Sequence, residues 1–346
     1  PRALRCRTAV DMAENDRSVP LIDPKGSRIA NDRWSDIRGI KEAGRPVSSA
    51  KNPKEREGEM GKYEFDAAAR TDYFLHPERY RIPGFRIYGN LFFIGDKDAG
   101  AYLVDTGEGI LLIDTGYPTA RAQTLASIRE AGFDPGEVRL ILHTHGHFDH
   151  FGATGEIVRL SGAKTWLGAA DARMFRERPE LALTDLGWYA KVPLFRPDGE
   201  LSVGDRIVLG NTCIRAVATP GHSDGVFSFF FEVEEDGRVL TAGLFGGAGL
   251  NTLCQSFVAR YGRTHARKDF EHSLAKVRSE RVDITLGNHA PQNSTAAKRA
   301  RQIADPSAPN PFIDAGEWGR QIDRFREDYD RMLVDEREEE SRQQMG

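Results

Sequence analysis

The sequence predicts an α/β protein built as a four-layer αββα sandwich. Short runs of β-branched and aromatic residues, separated by turn residues, begin at Phe85 and recur in two successive regions of the chain. Both regions also contain segments with the apolar spacing of amphipathic helices. Two strand-rich halves that each carry helices fit two packed sheets with outer helices better than they fit one doubly wound sheet.

The first half opens with the strand-like runs FRIYGNLFFIG, AYLVDTG and GILLIDTG, the last two joined by a glycine-containing turn. A buried strand is predicted at 138–142 and another strand at 164–167. Helices are predicted at 119–132, 153–160 and 169–176, and a long loop at 179–199.

The second half is predicted to contain five strands and one helix. The strands are expected at 206–209, 213–218, 226–233, 238–242 and 284–286, and the helix at 267–278. Farther on, aromatic and aliphatic residues recur at helical spacing from Trp318 to Leu333, which indicates a helix that docks on the body by one face.

We divide the chain into three parts. Residues 1–80 are predicted to be an N-terminal arm, partly disordered or packed on the body or on a neighbouring subunit, with one short helix near Trp34. Residues 81–305 form the predicted catalytic domain, and residues 306–346 a C-terminal amphipathic helix with an acidic tail. An arm that packs on a neighbour would make the protein a homo-oligomer.

The charge balance argues against two classes of partner. The 48 basic residues are interspersed among 52 acidic ones, so no basic face is expected for nucleic acid. No apolar run reaches the roughly eighteen residues of a membrane span. The first twenty residues lack a signal-like apolar stretch, which favours a cytoplasmic location, although the start at Pro1 leaves a removed presequence open.

The three cysteines, Cys6, Cys213 and Cys254, are isolated in the sequence, and an odd number without a C-x-x-C pair favours buried thiols. A disulfide bond between Cys213 and Cys254 is the alternative that the sequence leaves open.

The segment from His145 to His150 carries the strongest functional signal. It places three imidazoles and the Asp149 carboxylate within six residues, directly after a predicted buried strand. Imidazole nitrogen and carboxylate oxygen are the ligand types that zinc takes in proteins. His145 and His147, two residues apart in an extended segment, point the same way, whereas the turn at Gly152 lets Asp149 and His150 reach a second position.

Two further histidines follow other predicted strands. His222 lies in the sequence Thr-Pro-Gly-His-Ser after the strand at 213–218, and His289 in Gly-Asn-His after the strand at 284–286. Three separate strands therefore deliver histidines to one edge of the predicted fold, and the sequence predicts a metal site there.

These motifs resemble the metallo-β-lactamase superfamily, which has a strand-ending H-x-H-x-D-H, a later Gly-His and a final His. The resemblance covers about residues 85–300. It implies the metallo-β-lactamase fold and two zinc ions. By the resemblance, His145, His147 and His222 would hold the first zinc, and Asp149, His150 and His289 the second.

One departure separates this chain from most hydrolases of the superfamily. Those enzymes place a metal-bridging Asp after the strand that here reads VLTAG, where this chain has Leu244 and Phe245. The complete histidine set without that acid resembles subclass B3 metallo-β-lactamases. The serine with which those enzymes hold the substrate carboxylate is not evident here. The resemblance therefore implies the fold and the two metals more strongly than it implies a β-lactam substrate.

The expected chemistry is hydrolysis of an amide or ester-like bond in a small molecule, with β-lactams as the first class to test. Two zinc ions sharing a water would supply hydroxide near neutral pH, and Asp149 would orient that water and receive its proton. A lactonase or thioesterase on the same fold is one alternative, and a non-catalytic metal-binding module is another. Iron, cobalt or manganese could also occupy imidazole-rich sites.

Five further residues are expected to support the site. Asp114, in Asp114-Thr115-Gly116, resembles a family element near the metal site, which implies that it orients a ligand imidazole by accepting its distal N–H. His143 should have a similar supporting role or a structural one. Asn251, Arg260 and Tyr261 lie in a predicted loop segment, 245–263, and are candidates for substrate binding.

Overall fold

The computed structural model of the protein describes residues 21–22 and 62–345. Its strands are β1 (Leu21–Ile22), β2 (Phe85–Tyr88), β3 (Leu91–Phe93), β4 (Tyr102–Asp105), β5 (Ile110–Ile113), β6 (Val138–Leu142), β7 (Lys164–Gly168), β8 (Gly199–Leu201), β9 (Arg206–Leu209), β10 (Thr212–Ala218), β11 (Phe227–Glu235), β12 (Arg238–Leu244) and β13 (Ile284–Leu286). Its helices are α1 (Thr71–Leu75), α2 (Arg121–Glu130), α3 (Thr154–Ser161), α4 (Ala169–Glu177), α5 (Gln255–Tyr261), α6 (Ala266–Val277), α7 (Thr295–Ala304) and α8 (Glu317–Met345). Short 3-10 turns include Pro118–Ala120, Pro179–Ala182, Trp188–Ala190 and Ala290–Asn293.

The strands form two sheets. The seven-stranded sheet has the order β2-β3-β4-β5-β6-β7-β8, and the six-stranded sheet the order β1-β9-β10-β11-β12-β13. In the first sheet β5, β6, β7 and β8 run parallel, whereas β2 to β5 are antiparallel neighbours. In the second, β9 to β12 alternate in direction and β13 is parallel to β12. The carboxyl ends of β5, β6 and β7 therefore meet at one edge of their sheet.

The two sheets pack face to face over one apolar core. Tyr102 and Phe93 from the first sheet and Phe229 and Leu286 from the second are almost completely buried in it. Helices α2 and α3 cover the outer face of the seven-stranded sheet, where Ile128 joins the packing. Helices α6 and α8 cover the outer face of the six-stranded sheet. This arrangement confirms the predicted four-layer αββα sandwich.

The C-terminal helix α8 docks on the body along its predicted apolar stripe. Trp318 packs edge-on against Phe230, with 5.2 Å between ring centroids, and its indole N–H donates to the Val277 carbonyl at 2.8 Å. Phe325 and Tyr329 continue the contact against Phe245 and Phe270. The stripe therefore closes an apolar layer rather than lining a cofactor site.

Replacing Trp318 by alanine is expected to destabilise the protein by about 3–5 kcal/mol, because it opens a cavity under α8 and removes one of the two hydrogen bonds to the Val277 carbonyl. Urea unfolding followed by circular dichroism measures the change. Val334→Ala in the same helix is the control, since Val334 is 44% exposed and its truncation should cost less than about 0.5 kcal/mol. Equal losses in both variants would contradict the packing described here.

The predicted elements recur with shifted ends, but the sequence analysis missed the strands β1 and β8 and the helices α1, α5 and α7. The loop predicted at 179–199 contains two 3-10 turns and runs into β8, an edge strand of three residues. Helix α5 lies inside the segment predicted as loop at 245–263, and it is too short for an apolar period to show. Helix α7 buries only Thr295 and Lys298, so it offers no apolar stripe.

The end of the predicted arm packs on the body. The Phe65 ring lies 6.1 Å from the rings of Phe148 and Tyr189, and Tyr73 lies 5.0 Å from Tyr117. Most of the arm, including the predicted helix near Trp34, lies outside the described residues. The division at residues 80 and 305 stays a prediction.

Two smaller expectations can be compared with the structure. No disulfide bond joins Cys213 and Cys254, while Cys6 lies outside the described residues. Among the residues that the structure describes, no helix has the length and apolarity needed to cross a membrane.

Candidate metal centre

The candidate ligands gather where strands of both sheets end. The loop after β6 carries His145 to His150, and its backbone is tied to the loop after β5: Asp114 N donates to the Leu142 carbonyl and Thr115 N to the His150 carbonyl, each at 2.9 Å. The loops after β10 and β13 bring His222 and His289 to the same rim. The structure therefore places all six predicted ligand residues together, in two groups.

The first group consists of His145, His147 and His222. One ring nitrogen from each lies within 4.8 Å of the others, and all three side chains are buried. Nδ1 of His147 and Nε2 of His222 face each other at 2.9 Å. This group could hold one metal ion.

Hydrogen bonds show which ring nitrogen of His145 and of His222 carries the proton. The Thr144 hydroxyl donates to Asp114 and so accepts from Nδ1 of His145 at 3.0 Å, which leaves Nε2 of His145 as a lone-pair donor. His222 is fixed in the same way, because its Nδ1 donates to the Gly249 carbonyl at 2.7 Å and lies 2.9 Å from the Thr252 hydroxyl. In both rings Nε2 therefore carries the lone pair that can bind a cation, although in His222 it is now in contact with Nδ1 of His147.

Backbone conformation also helps to place His222. Gly221 has φ +141°, and a Cβ atom at this position would approach the Phe270 backbone and Cβ to less than 3 Å. Only glycine allows this close approach, which accounts for the Gly-His pair in the sequence.

The second group consists of Asp149, His150 and His289. Oδ2 of Asp149 lies 3.4 Å from Nε2 of His150 and 3.5 Å from Nε2 of His289. One donor atom from each residue lies within 4.8 Å of the others. Rings of the two groups are neighbours, with 4.1 Å between the centroids of His145 and His150. Two metal positions would therefore lie side by side.

Asp114 links the two groups of candidate ligands by hydrogen bonds. Its buried carboxylate accepts from Nδ1 of His150 at 2.9 Å and from the backbone N–H and hydroxyl of Thr144 at 2.8 and 2.7 Å. The Asn288 amide adds a fourth, longer contact of 3.3 Å. Asp114 has φ +58°, a region that Asp and Asn enter more readily than most residues. It thus contacts one ligand imidazole directly and another through Thr144.

The charges around the two groups differ. Burial lowers the pKa of His222 to about 3, and burial and neighbouring imidazoles lower the pKa values of His145 and His147 well below the usual range. These three histidines are therefore neutral, the form that binds metal. Burial also opposes the charged form of His150, but Asp149 and Asp114 outweigh it and raise its pKa to about 10. The second group thus favours positive charge at its centre.

These observations show that the residues fit a metal ion. Nε2 of His145 and Nε2 of His150 are buried and have no hydrogen-bond partner among the described residues. A buried polar atom without a partner costs free energy, and a cation would be the missing partner of both nitrogens, with Nε2 of His150 giving up its proton when it binds. Each group offers three donors, and imidazole nitrogen and carboxylate oxygen are ligand types that zinc prefers.

Asp171, which the sequence analysis missed, joins the two loops that carry the first group. Its buried carboxylate accepts from the backbone N–H of Gly146 at 2.7 Å, the Ser223 hydroxyl at 2.6 Å and the backbone N–H of Gly225 at 2.8 Å. Asp171 therefore fixes the distance between His145 and His222 without contacting either ring.

Replacing Asp171 by alanine is expected to lower the free energy of unfolding by at least about 3 kcal/mol, because three buried donors lose their acceptor at about 1–3 kcal/mol each. Urea unfolding of the metal-free protein measures the change. Ser223→Ala removes one of the three bonds and should cost about 1 kcal/mol. An Asp171 variant as stable as the wild type would show that the two loops hold their positions independently.

His143 does not contact the candidate ligands through its ring nitrogens. Nδ1 lies 3.0 Å from the Trp166 carbonyl and Nε2 2.8 Å from the Thr154 hydroxyl, while the ring packs against Phe195. Of the two roles expected for His143, this geometry favours the structural one.

The predicted substrate-binding residues lie beside a neighbouring cavity. Asn251, Arg260 and Tyr261 line it together with Phe65 and Leu186. Tyr261 also lines an adjoining cavity that reaches His147, where Arg173 and Met174 form part of the wall. Tyr261 therefore borders the cavity that reaches the candidate metal centre. Asn251 lies near His222, since a Cβ atom at Gly249 would be 2.8 Å from both Oδ1 of Asn251 and Cε1 of His222.

At the position where most superfamily hydrolases carry a bridging Asp, the structure has an apolar residue. Phe245 follows β12, is buried, and packs against Phe270 and Phe325. The carboxylate at the second group comes from Asp149 alone.

Comparison with known proteins supports this description of the fold. Residues 95–279, just over half of the chain, match the family model of the metallo-β-lactamase superfamily. The chain belongs to this superfamily. The structure of BJP-1, a subclass B3 metallo-β-lactamase of Bradyrhizobium japonicum, is 28% identical in sequence, has a TM-score of 0.66, and aligns over 74% of this chain and 95% of that chain.

Two curated relatives are named for hydrolysis of substrates other than β-lactams. A hydroxyacylglutathione hydrolase of Anaeromyxobacter dehalogenans is 32% identical over 153 residues, or 44% of this chain and 48% of the relative. An N-acyl homoserine lactonase of Bacillus thuringiensis is 26% identical over 162 residues, or 40% of this chain and 60% of the relative. The matches span about half the length of these relatives. Membership of the metallo-β-lactamase superfamily and the resemblance to subclass B3 are confirmed.

Proposed function

We propose that this metallo-β-lactamase superfamily member is a hydrolase of a small molecule with an amide or ester-like bond, and that β-lactams are the first class to test. The two adjacent donor groups carry the proposal, since each contains a buried ring nitrogen without a hydrogen-bond partner among the described residues. We assign one zinc ion to His145, His147 and His222, and a second to Asp149, His150 and His289.

The chemistry follows from these side chains. Two zinc ions, when bound, would lower the pKa of a water molecule and polarise a substrate carbonyl. Asp149 would orient that water and receive its proton, because its carboxylate lies between His150 and His289 at the centre of the site. Asp114 holds His150 in the tautomer that presents Nε2, and Thr144 does the same for His145.

Two observations favour β-lactams over the other substrate classes. The chain lacks the bridging acid, as its resemblance to subclass B3 implies, and the alignment with BJP-1 covers nearly all of that enzyme. The names of the curated relatives favour a thioester or a lactone instead. Both alternatives keep the same metal positions and the same role for Asp149.

A panel of three substrates separates these possibilities: a chromogenic cephalosporin, an acyl homoserine lactone and a glutathione thioester. We expect the cephalosporin to be hydrolysed with the highest kcat/KM and the reaction to stop when a chelator removes the metal. Hydrolysis of the lactone or thioester alone would replace the β-lactam assignment and leave the hydrolase proposal in place. No hydrolysis of any of the three by metal-loaded protein would favour a non-catalytic metal-binding module.

A further inference from the structure

The N-terminal segment, which we define as residues 62–80, reaches the rim of the metal centre. Within it the guanidinium of Arg70 contacts Oδ2 of Asp98 and lies 3.0 Å from the Tyr117 hydroxyl. The Tyr117 hydroxyl donates to the same oxygen of Asp98 at 2.7 Å. Two donors, one from the N-terminal segment and one from the loop after β5, thus hold one oxygen of this carboxylate.

The other carboxylate oxygen of Asp98 faces a candidate metal ligand. Oδ1 of Asp98 lies 3.6 Å from Nδ1 of His289, while Nε2 of His289 points to Asp149. An imidazole that binds metal through one nitrogen usually has a carboxylate or carbonyl at the other, which fixes the orientation of the ring. Asp98 has the position of such a partner.

The backbone holds Asp98 beside His289. The Ala290 N–H donates to the Asp98 carbonyl at 2.7 Å, and the Gly100 N–H donates to the Asn288 carbonyl at 3.0 Å. A second contact from the N-terminal segment, from the Tyr73 hydroxyl to Oδ2 of Asp96 at 2.5 Å, secures the start of this loop. The loop at 96–100 is therefore tied to the His289 loop on one side and to the N-terminal segment on the other.

His289 depends on such a partner more than the other four imidazoles do. His145, His147, His150 and His222 are buried, so packing already restricts their rings, whereas His289 is only half-buried. The contacts also agree, since Arg70 and Tyr117 hold one oxygen of Asp98 and leave the other facing His289.

We propose that the N-terminal segment completes the second metal position: Arg70 and Tyr117 hold Asp98, and Asp98 orients His289 toward the metal. Asp98 and Arg70 are positioning residues, and the proposal rests on the proposed function only for the existence of the second metal position. It assigns a role to a segment that lies outside residues 95–279, the part that matches the family model.

The test measures metal affinity without turnover. Metal-free protein is titrated with zinc in competition with a chromophoric chelator, which resolves two dissociation constants, and the variants His147→Ala and His289→Ala assign them to the first and second positions. For Asp98→Asn we expect the dissociation constant of the second position to rise about 10- to 100-fold and that of the first to stay unchanged. Arg70→Met should raise the same constant by a smaller factor.

Three controls separate positioning from a general loss of structure. Arg70→Lys keeps the positive charge and should restore much of the affinity lost in Arg70→Met. Arg79→Met removes a surface ion pair with Asp72 in the same segment and should leave both dissociation constants unchanged. Thermal unfolding of each metal-free variant shows whether the protein is folded. Because Arg70 is 39% exposed, its variants should fold even if Asp98→Asn does not.

The inference is overturned if folded Arg70→Met and folded Asp98→Asn bind the second metal as tightly as the wild type. It is also overturned if both positions weaken equally or if the wild type binds no second metal. Wild-type protein that binds two metals but hydrolyses none of the three substrates would refute the proposed function, while the effects of Arg70 and Asp98 on the second position would still support the inference.

Discussion

Replacing Asp149 by alanine is expected to lower kcat/KM by about 10³-fold, the range for loss of a general base. Asp149 is the one carboxylate in the two donor groups and lies between His150 and His289. Its loss would remove a ligand of the second metal and the group that receives the proton from water. The measurement is steady-state hydrolysis of the best substrate of the panel, at saturating zinc.

One further variant separates the two roles of Asp149, metal binding and proton acceptance, and a second variant is its control. Asp149→Asn keeps the shape and one oxygen but cannot accept a proton at neutral pH, so zinc saturation should restore metal binding more than it restores kcat. Asp198→Asn is the matched control, because Asp198 pairs with Lys164 and Thr165 away from the metal centre. An Asp149→Ala variant with wild-type kcat/KM would show that the reaction uses another base.

The second large effect is expected at Asp114. Replacement by alanine should lower the free energy of unfolding by about 3–5 kcal/mol, because buried donors of Thr144, His150 and Asn288 lose one shared acceptor. It should also weaken metal binding about 10- to 100-fold, since His150 loses the partner of its Nδ1. Urea unfolding of the metal-free protein and zinc titration measure the two effects separately.

Asp114→Asn separates backbone conformation from charge. Asparagine tolerates φ near +58° and offers one acceptor oxygen, so its loss of stability should be smaller than that of alanine, whereas the affinity for metal should still fall. If Asp114→Ala were as stable as the wild type and bound zinc equally well, the hydrogen bonds described here would not hold the site.

The sequence predicted the candidate ligands because their pattern is local. His145, His147, Asp149 and His150 lie in one short segment after a strand, and His222 and His289 each follow another strand directly. Because these strands end at one rim, the residues that follow them come together, and predicting this required no knowledge of individual tertiary contacts. Asp114 was predicted from the resemblance of Asp114-Thr115-Gly116 to a family element near the metal site.

The supporting carboxylates could not be predicted in this way. Asp171 lies in the first turn of α4, and its partners come from two other loops of the chain. Asp98 lies in a loop whose partners are Arg70, Tyr117 and the distant His289. Each is a single acid in an ordinary sequence context, and only the tertiary contacts reveal its role.

The predicted fold was correct where apolar periodicity is strong. Strands β5 and β6 bury almost every side chain, and α8 buries one regular stripe, so both patterns were evident. Helix α7 was missed because it is held largely by polar contacts, including the buried pair of Lys298 and Glu317 at 2.5 Å. A pattern of apolar residues contains no signal for such a contact.

The most direct test of the central claim is the return of hydrolysis as zinc is added to metal-free protein. We predict that turnover of the chromogenic cephalosporin rises with bound zinc up to two equivalents, is abolished by a chelator, and is absent in His147→Ala. Protein that binds two zinc ions without hydrolysing the cephalosporin, the lactone or the thioester would contradict the account, as would hydrolysis that survives removal of the metal.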